Sequence, residues 1–230
     1  MKDIFILQIE TATPVCSVAI SKSGETVAVI EASEPNIHAS SLTLFIEQAL
    51  AQANISRSQL NAVAVSMGPG SYTGLRIGVS TAKGFCYGLN NLPLLAVNTL
   101  EGMAHGFSQC VGKESNHILV PMIDARRMEV YTAHYSSGLE RIQETQARII
   151  DKDSFEFSSD DFMLFGTGAD KFIDLFSDTK NVFITTDFFN SAAHISQLAY
   201  KRFQDQQFED LIYFEPFYLK DFITSTPKSR

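Results

Sequence analysis

Residues 62–78 run Ala62-Val63-Ala64-Val65-Ser66-Met67-Gly68-Pro69-Gly70-Ser71-Tyr72-Thr73-Gly74-Leu75-Arg76-Ile77-Gly78. The first four read as a buried strand, and the chain then turns on Gly68-Pro69-Gly70 directly into a helix. Backbone N–H groups at such a turn, with the positive end of the helix behind them, can meet an anion. The lysine of a phosphate loop is missing, and so is the Gly-x-Gly-x-x-Gly spacing of a dinucleotide turn. From Tyr72 to Leu89 the helix carries Gly74, Gly78, Gly84 and Gly88. Four interior glycines forfeit about 4 kcal/mol of helix propensity against alanine. A helix of this kind needs bare backbone for close approach to something.

Outward from this stretch the chain reads twice. Strand signals at Ile4–Ile9, Ser17–Ile20 and Thr26–Ile30 come first, the last two joined by a turn at Lys22-Ser23-Gly24-Glu25. Leu42, Phe45, Ile46, Ala49, Leu50 and Ala53 then fall at helical spacing. After the strand Ala62–Ser66 and the glycine-bearing helix come a strand at Pro93–Val97 and a helix whose N-cap and N3 positions suit Asn98 and Glu101. Residues 118–206 repeat the order βββαβαβα. Their strands are expected at Ile118–Ile123, Glu129–Tyr135, Glu140–Ile149, Asp160–Phe165 and Val182–Thr185. Helices are expected at Gly168–Phe176, with Phe172, Leu175 and Phe176 on one side, and around Ala192–Gln204. Asp151–Phe157 leaves little room for the first helix of this half. The repeat predicts an α/β fold of two like lobes, each a mixed five-stranded sheet with helices, and a cleft between them. The lobes are residues 1–112 and 113–212. Residues 213–230 would pack back across them or meet a partner, ending in a polar, flexible tail at Thr224–Arg230.

The 230 residues suffice for a substantial core in each lobe. No apolar run approaches the roughly 20 residues that span a bilayer, and the N-terminus lacks the pattern of a signal peptide, so a cytoplasmic protein without membrane contact is expected. Cys16, Cys86 and Cys110 are odd in number and scattered, which favours buried free thiols. The net charge of −8 opposes strong unaided binding to nucleic-acid phosphates, although a local basic patch would survive that average.

Several segments resemble the TsaB (YeaZ) family. They are Leu7-Gln8-Ile9-Glu10-Thr11-Ala12-Thr13, Gly68–Gly78, Thr81-Ala82-Lys83-Gly84 and Asn98-Thr99-Leu100-Glu101, followed by Asp124–Tyr131 and Pro216-Phe217-Tyr218-Leu219-Lys220. The resemblance spans nearly the whole chain, and the Gly68–Gly78 block is its most specific part. It implies the RNase H-like, actin/hexokinase/Hsp70-type (ASKHA) two-lobe fold. It further implies a non-catalytic subunit of the machinery that makes N6-threonylcarbamoyladenosine in tRNAs reading ANN codons. Such a subunit would be a homodimer alone, a heterodimer with the transferase TsaD, and a means of recruiting the ATPase TsaE, with tRNA met only indirectly. Departures are Glu10 where the family usually has Asp, His38-Ala39-Ser40 where it often has His-Ser-Glu, and Lys220 where it usually has Arg. The acidic position is where active members of the fold hold magnesium.

Transferase paralogues begin their metal set with two histidines four residues apart. The matching stretch here is Thr99-Leu100-Glu101-Gly102-Met103, and no His-x-x-x-His pair occurs among His38, His105, His117, His134 and His194, so neither a metal nor a cofactor is expected. Where active relatives have adjacent glycines on a second phosphate hairpin, this chain has Ala125-Arg126-Arg127. Gly68, Gly70, Ser71, Arg126 and Arg127 are therefore candidates for a degenerate phosphate site; the two arginines equally suit an interlobe salt bridge or a partner contact. Gly166-Thr167-Gly168-Ala169 fits a strand-to-helix turn or a relic of an adenosine site. No nucleophile with a base in reach and no Gly-x-Ser-x-Gly elbow supports a peptidase. The resemblance assigns the first two helices to partner binding, through Leu42, Phe45, Ile46 and Ala49 on one and Gly74, Gly78, Thr81, Ala82 and Phe85 on the other. The rival reading is an ATP-dependent small-molecule kinase of the same fold, using Glu10 and the Gly68–Gly70 turn.

Overall fold

A computed structural model describes residues 3–111, 117–156, 158 and 160–220. In the first half, β1 (Phe5–Glu10), β2 (Cys16–Lys22) and β3 (Glu25–Ala32) lead into α1 (Ile37–Gln52). Then come β4 (Leu60–Gly68), α2 (Tyr72–Gly88), β5 (Leu94–Asn98) and α3 (Thr99–Val111). The second half holds β6 (Ile118–Asp124), β7 (Glu129–Tyr135), β8 (Arg141–Ile149), β9 (Phe162–Phe165), β10 (Val182–Thr185) and α4 (Ser196–Gln204). The sheets are ordered β3-β2-β1-β4-β5 and β10-β9-β6-β7-β8, the same topology twice. In each, two antiparallel pairs are followed by two parallel ones. The duplicated mixed sheets expected from the repeat are the ones observed.

The lobes differ in how their sheets are covered. In the first, α1 and α2 lie on one face around Leu7, Ile9, Val18, Ile46, Val63 and Ala82. Among the described residues, the second has no counterpart of α1. The helix expected over Gly168–Phe176 is only a 3-10 turn, Asp170–Phe172, flanked by further turns. A stretch this short gains too few bonds to offset helix nucleation, and its bonds are chiefly of the i to i+3 kind, Phe172 N to Ala169 O at 3.0 Å among them. Phe172 and Phe176 are buried as expected, whereas Leu175 is on the surface.

The layer between the sheets is exchanged. Leu100, Met103, Ala104 and Phe107 of α3, although encoded in the first half, pack on Leu119, Ile123 and Phe165 of the second sheet. Ile195 and Ala199 at the chain's other end pack on Ile6, Ala64 and Leu95 of the first. The helix expected from Ala192 starts as a 3-10 turn, Ala192–Ile195, before α4 proper. Asn98 caps α3, its Oδ1 accepting from Leu100 N at 3.0 Å. Gly102 and Gly106 of α3 admit this neighbour: an added Cβ would stand 2.7 Å from Ile195 and 2.3 Å from the His194 ring. Burial holds His194 at a pKa of about 4, so the ring stays neutral in this contact. Cys16 and Cys86 are buried, but Cys110 is exposed; all three thiols are free. Among the described residues, no helix is long and apolar enough to cross a membrane. Thr224–Arg230 lies outside them.

Candidate functional site

In an open sheet with parallel strands, ligands collect beyond the carboxyl ends of those strands. Here those ends carry Glu10 on β1 and Gly68 on β4 in the first lobe, and Asp124 on β6 in the second. The β1–β4 register brings Ser66 beside Glu10, and its hydroxyl donates to the carboxylate. Ala12 N donates to the other carboxylate oxygen at 2.6 Å. Glu10 is wholly buried. Burial pushes its carboxyl up to about 7, against the hydrogen bonds of Ser66 and Ala12 and the neighbouring Asn190 amide, which pull it down. Both polar atoms of the Asn190 side chain are buried without a hydrogen-bond partner of their own.

Directly above, the glycines of the decisive stretch close on the chain itself. A Cβ on Gly70 would stand 2.3 Å from Ala12 O, and Ser71 N donates to that same carbonyl at 2.7 Å. Ser71 Oγ caps α2 by accepting from Gly74 N at 3.2 Å. One turn on, a Cβ on Gly74 would meet Thr11 O at 2.1 Å, and one on Gly78 would meet Thr11 Oγ1 at 2.2 Å. The Thr11 hydroxyl in turn donates to Gly74 O at 2.8 Å. The approach that Gly74 and Gly78 permit is thus to the β1–β2 turn. Gly84 and Gly88 have nothing within 4 Å of an added Cβ. Two donors of the expected anion cradle, the Ser71 and Gly74 N–H groups, are taken up internally, and the acidic group at its floor is sealed beneath the turn. This arrangement does not fit a magnesium-bound nucleotide. Among the described residues, no three His, Cys, Asp or Glu side chains converge as metal ligands would.

At the matching place in the second lobe, the β6–β7 hairpin is open to solvent. Arg126 (φ 75°) and Arg127 (φ 53°) occupy consecutive left-handed positions at its tip, a conformation that costs a side chain about 1–2 kcal/mol per residue. The tip is held from below. Lys171 Nζ donates to Asp124 Oδ1 at 2.7 Å, Arg127 O at 2.9 Å and Glu129 O at 2.8 Å, and Arg126 N donates to Asp124 Oδ1 at 2.8 Å. Burial alone would raise the Asp124 carboxyl, but the bonds from Lys171 and Arg126 N outweigh it and hold the group below its usual range. Both arginine side chains are exposed and make no ion pair among the described residues. Gly166 and Gly168 form the turn after β9 and rest against Met122 O and the Ile123 backbone.

The segment after α4 straps the two lobes. Glu209 N donates to Leu94 O at 2.9 Å, Lys83 Nζ donates to Ile212 O and Phe214 O, and Phe217 N donates to Met67 O at 2.7 Å. Gly68, at φ 118°, lets the strap pass, for an added Cβ would stand 2.6 Å from Phe217 O. Tyr218 then packs on Tyr72 with ring centroids 5.0 Å apart and accepts from Arg76 Nε at 3.1 Å, and Lys220 pairs with Glu129 of the second lobe. A groove of about 720 Å³ lies between the strap and the end of α2, lined by Lys83, Gly84, Tyr87, Leu92, Glu209 and Ile212 among others.

Of the residues assigned to partner binding, Leu42, Ile46, Ala49, Gly74, Gly78 and Ala82 are buried by their own lobe, while Phe45, Thr81 and Phe85 reach the surface. Leu44, 51% exposed, Gly84 and Gly88 share the outer sides of α1 and α2; the sequence drew attention to the two glycines without assigning them to the partner face, and not to Leu44. The missing signal was which helical face the sheet would claim.

The family model of TsaD, tRNA N6-adenosine threonylcarbamoyltransferase, matches residues 31–227. A TsaB protein of tRNA threonylcarbamoyladenosine biosynthesis from Escherichia coli K12 is 35% identical over 176 residues, covering 74% of both chains. The chain belongs to this family, on its TsaB branch. The structure of YeaZ from Pseudomonas aeruginosa superposes with a TM-score of 0.78 at 22% identity, over 95% of this chain and 100% of that one. An activator of 2-hydroxyisocaproyl-CoA dehydratase from Clostridium difficile, solved with bound ADPNP, shares the fold at a TM-score of 0.52 and 9% identity, over 89% of this chain and 97% of that one. This chain therefore shares the two-lobe architecture of both structures, with Ala12 and Thr11 packed against the glycines of its first-lobe turn.

Proposed function

We propose that this protein is a non-catalytic activating subunit for N6-threonylcarbamoyladenosine formation in tRNA, binding a TsaD-type transferase and helping to recruit the TsaE ATPase. The observation that carries the reading is the closure of Gly70, Gly74 and Gly78 on Ala12 and Thr11 in a chain of the TsaB branch. The glycines give the first lobe a rigid helical layer in place of a ligand cradle. The test is threonylcarbamoyl transfer to tRNA by the cognate transferase and TsaE, given threonylcarbamoyl-adenylate and ATP, with and without this protein. Turnover only in the complete mixture is expected; equal turnover without it would sink the reading.

The partner face is the outer side of α1 and α2, where Leu44, Phe45, Thr81 and Phe85 surround the open backbone of Gly84. Its bare glycine would let a partner helix come close, and the buried members of the expected set support this face from beneath. A homodimer would use the same face, so the two assemblies compete. Leu44→Glu combined with Gly84→Leu touches no buried contact, and it is expected to raise the heterodimer Kd tenfold or more in sedimentation analysis without lowering the melting temperature. An unaltered Kd would move the interface elsewhere.

A further inference from the structure

Three guanidiniums stand on the surface without an ion-pair partner among the described residues, in a chain of net charge −8. Arg126 and Arg127 project from the β6–β7 tip. Arg76 lies on the outer side of α2, its Cζ 4.1 Å from the Tyr72 ring centroid and 6.0 Å from that of Tyr218. The strap makes these one surface. Tyr218 touches Arg76, and two residues later Lys220 pairs with Glu129 at the base of the hairpin. Tyr131 lies within electrostatic reach of both Lys220 and Arg126. Lys171 and Lys220 pair with Asp124 and Glu129; Arg126 also lies in the field of Asp124 and Arg76 in that of Glu215, so among the described residues these five cations face three carboxylates.

We propose that Arg76, Arg126 and Arg127, with the half-buried rings of Tyr72 and Tyr218, hold the sugar–phosphate backbone of a looped or single-stranded segment of RNA. The choice of RNA rests on the tRNA-modification reading above; the surface itself does not. A mononucleotide needs a concave cradle, and that cradle is closed by Ala12 and Thr11, whereas the arginines sit on an exposed tip and helix flank. An extended polyanion can run from one to the other. An acidic protein would be met by the same cations, but rings interleaved with guanidiniums are what bases and riboses stack on. The low overall charge limits binding to this patch, so affinity is modest, falls steeply with salt and adds to whatever a partner supplies.

The experiment is fluorescence anisotropy of a labelled tRNA transcript against this protein over a series of salt concentrations. It is run on the wild type, on Arg126→Gln with Arg127→Gln, on Arg76→Gln, and on a control pair on the second lobe, Lys152→Gln with Lys180→Gln. The hairpin pair is expected to weaken binding about tenfold or more and to flatten the slope of log K against log salt by roughly 1 to 2, two phosphate contacts' worth. Arg76→Gln is expected to weaken it several-fold, and the control pair not at all. Three results would overturn the proposal: no binding by the wild type, equal losses in the control pair, or intact RNA binding with a weakened heterodimer, which would make the patch a protein contact. The transfer assay separates the two readings. Turnover that needs this protein, without RNA binding by the patch, leaves the subunit role standing alone; RNA binding by the patch, with turnover that ignores this protein, does the reverse.

Discussion

The two hairpins that open the two lobes occupy the same place in the same topology, yet one is a sealed joint and the other an exposed tip. The β1–β2 turn lies under α2, whose glycines press on Thr11 and Ala12, and its carboxylate, Glu10, is buried and raised. The β6–β7 turn has no long helix above it; its carboxylate, Asp124, is exposed and lowered, and its tip carries two arginines. Duplication conserves the strand frame and leaves what covers it free to diverge. Two hairpins of one topology can thus be assigned one to packing and the other to the surface.

The largest expected effect tests the sealed joint. Gly78→Ala places a methyl group 2.2 Å from Thr11 Oγ1, so either α2 shifts or the Thr11 hydroxyl turns away and gives up its bond to Gly74 O, at a cost of about 3 kcal/mol of stability. Gly84→Ala, two turns further on, meets nothing and gains about 1 kcal/mol of helix propensity. Urea unfolding of both variants measures the contrast. If Gly78→Ala were as benign as Gly84→Ala, the glycine face would not be packed on Thr11. For the same reason, a bulky residue at position 78 would report on folding and not on partner binding.

Next in size is the pH dependence of Glu10. Its carboxyl is raised from 4.5 to about 7, so between those values the folded protein binds more protons than the unfolded chain. Stability from this group is therefore complete below about pH 4.5 and falls as pH rises through 7, by about 3 kcal/mol in all. Cys16, the other titratable group facing it, is pushed up to about 11 by burial and by that carboxylate, and stays out of this window. His134 and His194, both held near 4 by burial, pull the other way below pH 6.5. The difference between Glu10→Gln and wild type, and not the wild-type curve, isolates the group. Glu10→Gln is expected to match wild type near pH 5 and to be the more stable protein near pH 8. A difference independent of pH would mean that Glu10 is not buried as an acid.

Much of this contrast was legible before any coordinates, and the illegible part has a physical cause. The succession of strands follows from alternation and turn residues, which are local, although β1 was expected to end at Ile9, one residue short of Glu10. The excess of glycine in α2 also announced a close approach, but not to what, because Thr11 lies 63 residues from Gly74 and only the parallel β1–β4 pairing brings them together. Leu42, Ile46 and Ala49 read equally as core or interface, since an apolar stripe does not say whether a sheet or a partner covers it. The packing role of Gly102 and Gly106 in α3 was not legible because their neighbours, Ile195 and His194, come from the other end of the chain. The lost helix at 168–176 kept its Phe172 and Phe176 spacing, so periodicity alone could not reveal that the segment is too short to nucleate.

The smallest effect has the opposite sign to that of Glu10. Asp124 is lowered in the folded state, so the stability it contributes is present above its unfolded value of 3.8 and is lost as pH falls through the folded one. Its side chain is 48% exposed, and solvent screens the pair with Lys171, so the contribution is a few tenths to about 1 kcal/mol. Lys171 would also keep its bonds to Arg127 O and Glu129 O when the carboxylate is gone. Asp124→Asn is therefore expected to be slightly less stable than wild type near pH 7, with a gap that closes as pH falls below the folded value and that salt narrows. Near pH 8 the two substitutions at topologically equivalent carboxylates should move stability in opposite directions, Glu10→Gln up and Asp124→Asn down. If both moved it the same way, the hairpins would share one electrostatic environment, and the division between a sealed and an open turn would fail.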